Sequence, residues 1–476
     1  MVATSLNKAA WLLAATATLA CAATTHAHAG PQVRGIYPNP TSNVLLSNRG
    51  LLFGTPGSPE WSLLCNEALG VSTAEVPKVV VLPDARIIAA SSRGVTQTAN
   101  GGCHWESVAP FDTVNAPSLT QDPEDPQRLY LSTYAPGMSA VHTSEDGGLT
   151  WRRLSTAADS DYLGCILVAP NHPDRLYLRA ISVGTTSLTY ATWRSADGGE
   201  TWEQSHVTLA ENESDLLLLA VSPRDPQLVV AKGEAGNPMA TPERLLVSHD
   251  GGETFDNPIS LQVINAAVFN ADGATLTVGS DDGLFVSTDS GETFTKVGDA
   301  AYIDSLNFDR GELMVGGYFR GVEAGLHGVG ISSDGGATWT QWMLLNQVVQ
   351  PLACEASATS ATQCEHQWPD WEREILGMGD DPSAAGTGGT TPETRMAGAA
   401  GRSSDAGASG AALGGDGART AGPPASGIEH AASCSLETST RAAPGSRHRG
   451  FVAGLAGVCL LSLRRSQRSR RRRRVR

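Results

Sequence analysis

From Pro31 onward the chain is written in short apolar runs broken by clusters of Pro, Asp, Asn and Gly. CILVAPNHPDRLYL from Cys165 and LAVSPRDPQLVV from Leu219 share one form, an apolar run, a Pro/Asp turn and a second apolar run. No helical stripe intervenes, and runs of this kind bounded by turn residues read as strands. A further turn and a third strand follow each time, then a recurring signature, then an aromatic residue that opens a fourth strand. The signature reads SEDGGLTW from Ser144, SADGGETW from Ser195, SHDGGETF from Ser248, STDSGETF from Ser287 and SSDGGATW from Ser332. TANGGCHW from Thr98 is a weaker copy, and a seventh is eroded almost to Trp61.

The aromatics fall at Trp61, Trp105, Trp151, Trp202, Phe255, Phe294 and Trp339, 39 to 53 residues apart. That period suits one four-stranded blade. The expected fold class is all-β, a single β-propeller of seven four-stranded blades over residues 30–345, with six or eight as the alternatives; radial repetition leaves only short sheet edges. A glycine stands eleven residues before the aromatic in four repeats, at Gly50, Gly94, Gly283 and Gly328. A tight turn between second and third strands calls for positive φ there.

In a four-stranded meander the signature turns share one face with the Pro/Asp turns. Asp146, Asp197, Asp250, Asp289 and Asp334 are placed to accept backbone N–H bonds across their own turns. Trp151, Trp202, Phe255, Phe294 and Trp339 are expected between neighbouring sheets, each ring contributing about 1.5–3 kcal/mol by burial. These residues read as structural, because an acid repeated at every blade rim cannot converge on one substrate.

The opposite face receives the second-to-third loops and the connections between blades. Those loops are enlarged in repeats three, four, five and seven, as YAPGMSAVH from Tyr134, SVGTTSLTYATW from Ser182, KGEAGNPMATPER from Lys232 and YFRGVEAGLHG from Tyr318. Loops on a rigid scaffold commonly carry function. The candidate binding residues are therefore Tyr134, Met138, Tyr190, Lys232, Glu234, Tyr318, Arg320 and His327. The connectors add Asp159, Asp161, Glu211, Glu213, Asp215, Asp299 and Asp304. Aromatics beside convergent polar groups suit a ligand cleft, and solvated loops with no ligand are the plain alternative.

Composition changes the picture at the two ends. Lys8, an apolar run from Ala9 to Ala23 and Ala27-His28-Ala29 form a signal-peptide layout over residues 1–29, so export is expected. The segment 346–376, with Trp368 and Trp371, is expected to cap or close the ring. Residues 377–433 are rich in Gly, Ala, Ser and Thr and read as a disordered linker. The tail 434–476 holds Cys434, an apolar stretch 451–463 and an arginine cluster. That stretch is shorter than the roughly 20 residues of a spanning helix. The net charge of −15 conceals eleven arginines in 447–476, so what precedes them carries −15 − 11 = −26. A body this acidic repels nucleic acid and favours cationic partners.

Export permits disulfides. Cys354 with Cys364 is the pairing expected from proximity, and Cys65 with Cys103 is a further candidate. No CxxC, HExxH or Cys/His cluster supports a metal site, and no cofactor motif is present; neither GxSxG nor a Walker A loop occurs.

The five strong signatures resemble BNR, or Asp-box, repeats, which occur in sialidases, sortilin-type receptors, xyloglucan-cleaving glycosidases and photosystem II assembly factors. The resemblance covers about two thirds of the chain and implies a propeller. The sialidase pattern is met only by Phe319-Arg320-Gly321-Val322 in place of Phe-Arg-Ile-Pro. The tail resembles the myxobacterial C-terminal sorting signal, which implies processing at Cys434 and attachment at the cell surface or outer membrane. Two functions follow as expectations. The first is a noncatalytic propeller that binds a protein, peptide or glycan on the loop-rich face. The second is a glycoside hydrolase, with candidate acids among Asp161, Asp215 and Asp304.

Overall fold

In the computed structural model of the chain the described residues are 31–376, apart from 39–42, 73–74, 135–138, 155–161, 184–187, 239 and 319–326. The expected signal peptide, linker and tail, with Cys434, lie outside them, as do Met138, Asp159, Asp161 and Arg320.

The described residues form a seven-bladed β-propeller. The blades span residues 33–65, 78–107, 115–153, 162–207, 213–261, 264–297 and 301–344, each an antiparallel meander of four consecutive strands. First strands of neighbouring blades lie against each other at every seam from blade two round to blade one, which puts them innermost. Seven buried apolar clusters fill the gaps between blades, and the seven repeat aromatics are divided one to each.

The signature turn is self-contained. In blade three Ser144 Oγ donates to Asp146 Oδ1 (2.8 Å) and accepts from Gly148 N (2.8 Å). Thr150 donates its N–H to Asp146 Oδ1 (2.8 Å) and its hydroxyl to Oδ2 (2.5 Å). Gly147 N then reaches Gln127 O in the first-to-second turn (2.8 Å), so both kinds of turn share a face. In blade two Asn100 stands in for the acid, accepting from Thr98 Oγ1 (2.9 Å) and His104 N (3.0 Å).

Gly50, Gly94 and Gly283 have φ between 121° and 137°, as a tight turn requires. Gly328 has no positive φ, because its loop is long rather than tight. What the four share is a close approach: a Cβ at Gly50, Gly94, Gly283 or Gly328 would come within 2.0 to 2.7 Å of a carbonyl oxygen.

After blade seven the chain crosses to blade one and becomes a strap. Val348–Pro351 pairs in parallel with the outermost strand of blade one, Trp61–Cys65. Short helices follow at Thr359–Glu365 and Trp368–Trp371. The expected disulfides, Cys354 with Cys364 and Cys65 with Cys103, are not the ones formed. Cys364 pairs with Cys65 and Cys354 with Cys103, across 299 and 251 residues of sequence. The reason is the path of the strap. Cys354 lies over the signature turn of blade two, where Ser360 Oγ also donates to Cys103 O (2.6 Å), while Cys364 lies at the end of blade one's outer strand. Two disulfides fit an exported protein. Among the described residues no helix is long and apolar enough to cross a membrane.

Candidate functional site

The loop-rich face is shaped by an irregularity that the repeats do not announce. In blades one, three, four, five, six and seven the innermost strand is out of register with its neighbour near the end toward that face, at Val33/Gly35, opposite Ser132/Tyr134, at Leu163/Ile166, Glu213/Asp215, Ile264/Ala266 and Ala301/Ser305. A bulge breaks side-chain alternation and re-aims a residue. Polar residues cluster at these ends in two places.

The larger cluster spans blades three to five. The rings of Tyr134 and Tyr162 meet at 4.7 Å, and the Arg179 guanidinium lies 5.5 Å from the Tyr162 centroid. Arg179 is 1% exposed; its Nε donates to Leu216 O (3.0 Å) and its Nη2 to Asp215 Oδ2. Room for it exists because residue 164 is glycine, where a Cβ would stand 2.7 Å from Nη1. Asp215 Oδ1 accepts from its neighbour Leu216 N (2.7 Å), so both carboxylate oxygens are engaged. Burial nevertheless pushes the Asp215 pKa up, against the pull of Arg179. Tyr190 donates its hydroxyl to Ser214 O (2.5 Å).

Asp215 and Glu234 stand opposite each other on adjacent strands. The Glu234 pKa is also raised, first by burial; Lys232 opposes this, and Asp215 and Glu243 add to it. Around this pair the remaining charges are matched within the protein. Glu213 accepts from Arg244 through both oxygens (2.6 and 2.7 Å) and from Ala210 N (2.7 Å); burial pushes its pKa up, but these donors together bring it below the usual value. Lys232, 6% exposed, donates to Glu243 Oε2 (3.0 Å) and to Ile264 O of blade six (2.8 Å).

The smaller cluster joins blades seven and one. Asp304, 3% exposed, lies 3.4 Å from Arg34 Nη1 and 3.5 Å from His327 Nδ1. Thus Tyr134, Tyr190, Lys232, Glu234 and Asp215 gather in one place and Asp304 with His327 in another. Tyr318 is placed only by its backbone, which pairs with Ala301 and His327. Glu211 and Asp299 are exposed. Sequence reasoning missed Tyr162, Arg179, Glu243, Arg244 and Arg34. Arg179 did carry a signal, as a lone charge inside the apolar run LYLRAI. Among the described residues no group of three or more His, Cys, Asp or Glu could hold a metal ion.

No protein-family model matches the chain, and no curated protein does. Solved structures do resemble it. An ancestral GH74 enzyme is 14% identical with a TM-score of 0.43, covering 65% of this chain and 44% of its own, so the chain spans under half of that enzyme's length. The β-propeller domain of the trilobed protease from Pyrococcus furiosus, described as having an open velcro topology, is 9% identical with a TM-score of 0.40, covering 66% of this chain and 97% of its own. YCF48 bound to D1 peptide is 17% identical with a TM-score of 0.33, covering 56% of this chain and 84% of its own. At such identities the likeness is one of fold and says nothing of activity.

Proposed function

We propose that the protein is a noncatalytic propeller, exported and displayed at the cell surface or released, that binds a protein, peptide or glycan at blades three to five on the face opposite the signature turns. One observation carries this reading: Glu213, Asp215 and Glu243 each hold a base of the protein itself, whereas Tyr134, Tyr162 and Tyr190 stand half-buried beside them. Aromatic surfaces next to a few fixed polar groups suit ligand capture. A glycosidase needs two carboxylates flanking the bond, roughly 5–9.5 Å apart and free to act on it; Asp215 is held by Arg179 and Leu216.

A specific feature favours the hydrolase as second reading. Asp215 and Glu234 are direct cross-strand neighbours, whose Cβ atoms lie about 4.5–5.5 Å apart, and burial weakens the acidity of both. In that reading Glu234 gives the proton and Asp215 faces the sugar.

Glycan and peptide arrays run beside a glycosidase screen on the mature protein separate the two. Binding without released sugar, weakened at least tenfold in Tyr190→Ala and kept in Glu234→Gln, is expected. Sugar release that Glu234→Gln abolishes would replace the binding reading with the second.

A further inference from the structure

Each blade is made of four consecutive strands, so no strand is exchanged between blade seven and blade one. Hydrogen bonds from Ser305 Oγ to Val33 O (3.0 Å) and from Asn307 Nδ2 to Ile36 O (3.1 Å) cross that seam. So does the Arg34–Asp304 ion pair. The strap supplies the rest. Leu345, Val348 and Trp371 are buried in one cluster with Trp61 and Leu63 of blade one and Met314, Val329 and Met343 of blade seven. Glu374 accepts from Arg49 through both oxygens (2.6 and 2.8 Å).

The strap's two disulfides differ in access. Cys65 and Cys364 are 0% and 3% exposed, whereas Cys103 and Cys354 are half-buried at the rim of blade two. Beside the latter pair, His104 Nε2 lies 3.0 Å from Glu355 Oε1 in an exposed contact. The signature turn of blade two is the one in which Asn replaces the acid and Cys103-His104 replace the residues that precede the aromatic elsewhere. A turn that elsewhere closes on itself is here an anchor for the strap.

We propose that the strap is a redox-set clasp. With both disulfides formed it holds blade one to blade seven; a dithiol reductant releases it in order, Cys103–Cys354 first and Cys65–Cys364 only after the strap has lifted from blade two. In each step a thiolate of the reductant attacks one sulfur, and the other sulfur leaves as a thiolate and takes up a proton. The attacked cysteine is left in a mixed disulfide with the reductant. The reductant's second thiolate then attacks its own bonded sulfur, closes the reductant's disulfide and expels that cysteine as a thiolate that takes up a proton, so two electrons pass from dithiol to cystine. Attack requires access as well as a thiolate, and the order follows from the burial of Cys65 and Cys364. Ring closure is thereby tied to an oxidising compartment.

The test is graded reduction of the full chain with dithiothreitol, followed by site-mapped thiol alkylation and hydrogen exchange. Cys103 and Cys354 are expected to be alkylated first, with faster exchange confined to the strap over 348–371. After Cys65 and Cys364 follow, exchange in Val33–Tyr37 and Ala301–Asp309 should rise at least tenfold while Glu213–Val221 stays protected. The Cys103→Ser/Cys354→Ser variant should reproduce the first state without reductant; if it does not accumulate folded, wild-type reduction decides alone. Simultaneous alkylation of both pairs with loss of protection in Glu213–Val221 would mean global unfolding and overturn the clasp. Unchanged seam exchange after full reduction would overturn it equally.

Discussion

His142 lies on the third strand of blade three, its ring edge-on to Phe111 at 4.8 Å and its Nε2 3.1 Å from Thr133 Oγ1. Burial, with the Arg153 charge nearby, pulls its pKa from 6.5 down to about 4. The folded protein therefore keeps this imidazole neutral where the unfolded chain would protonate it. Its contribution is complete above about pH 6.5 and is lost as pH falls toward 4, because the unfolded state then binds the extra proton. At about 1.4 kcal/mol per pH unit the loss near pH 4.5 comes to about 2–3 kcal/mol. Urea unfolding of wild type and His142→Gln at pH 7 and pH 4.5 checks this, and the variant should lose less stability between the two. Arg179 is the converse case, a buried charge retained because Asp215 and the Leu216 carbonyl meet it. Neither environment could be read from neighbours in sequence, since Asp215 is 36 residues from Arg179.

The signature turn is the element that the sequence made most legible, because its bonds close within eight residues. In blade five Asp250 Oδ1 accepts from Ser248 Oγ (2.7 Å), Glu253 N (3.0 Å) and Thr254 N (2.9 Å), and Oδ2 accepts from Thr254 Oγ1 (2.5 Å). Asn100 in blade two keeps the Oδ1 half of that pattern. Asp250→Asn should therefore cost about 0.5–1.5 kcal/mol, the worth of the Oδ2 bond, and Asp250→Ala about 1–3 kcal/mol, since the backbone donors are then left unmet. Thermal unfolding of the two variants checks the order; equal losses would show that Oδ1 does not organise the turn. The same locality explains why seven blades and two distinct faces were readable beforehand. Bulges are different. Those that shape the loop-rich face arise where an inner strand meets its neighbour, and no local pattern marked Ser214 or Asn265 as the extra residue that shifts the register of the blade. Tyr134 and Tyr190 were visible as aromatics of the enlarged loops, but Tyr162, which opens the inner strand of blade four, and the ion pairs that occupy the acids beside them were not.

At the scale of the whole ring, closure is the feature furthest from the sequence. Cys354 and Cys364 look like partners because only ten positions separate them, yet the ring brings each to a blade formed at the start of the chain. Proximity in sequence loses to the path of the strap. If that strap closes the seam by packing as well as by covalent bonds, removing an apolar contact should loosen it with both disulfides intact. Trp371, 2% exposed, is the test residue: it packs in the seam cluster, while Trp342 of blade seven meets Trp61 of blade one edge-on at 5.4 Å. Trp371→Ala should cost about 3–5 kcal/mol by analogy with other buried aromatic truncations. The loss should be local, with faster hydrogen exchange in the strap and in Val33–Tyr37 and none in blades four and five. The ligand capture proposed at Tyr134, Tyr162 and Tyr190 should persist, because those residues stand on blades that, among the described residues, the strap does not touch through any disulfide or strand pairing. Loss of binding in Trp371→Ala together with the exchange change would instead show that the mouth depends on ring closure, and the seam and the site would have to be treated as one cooperative unit.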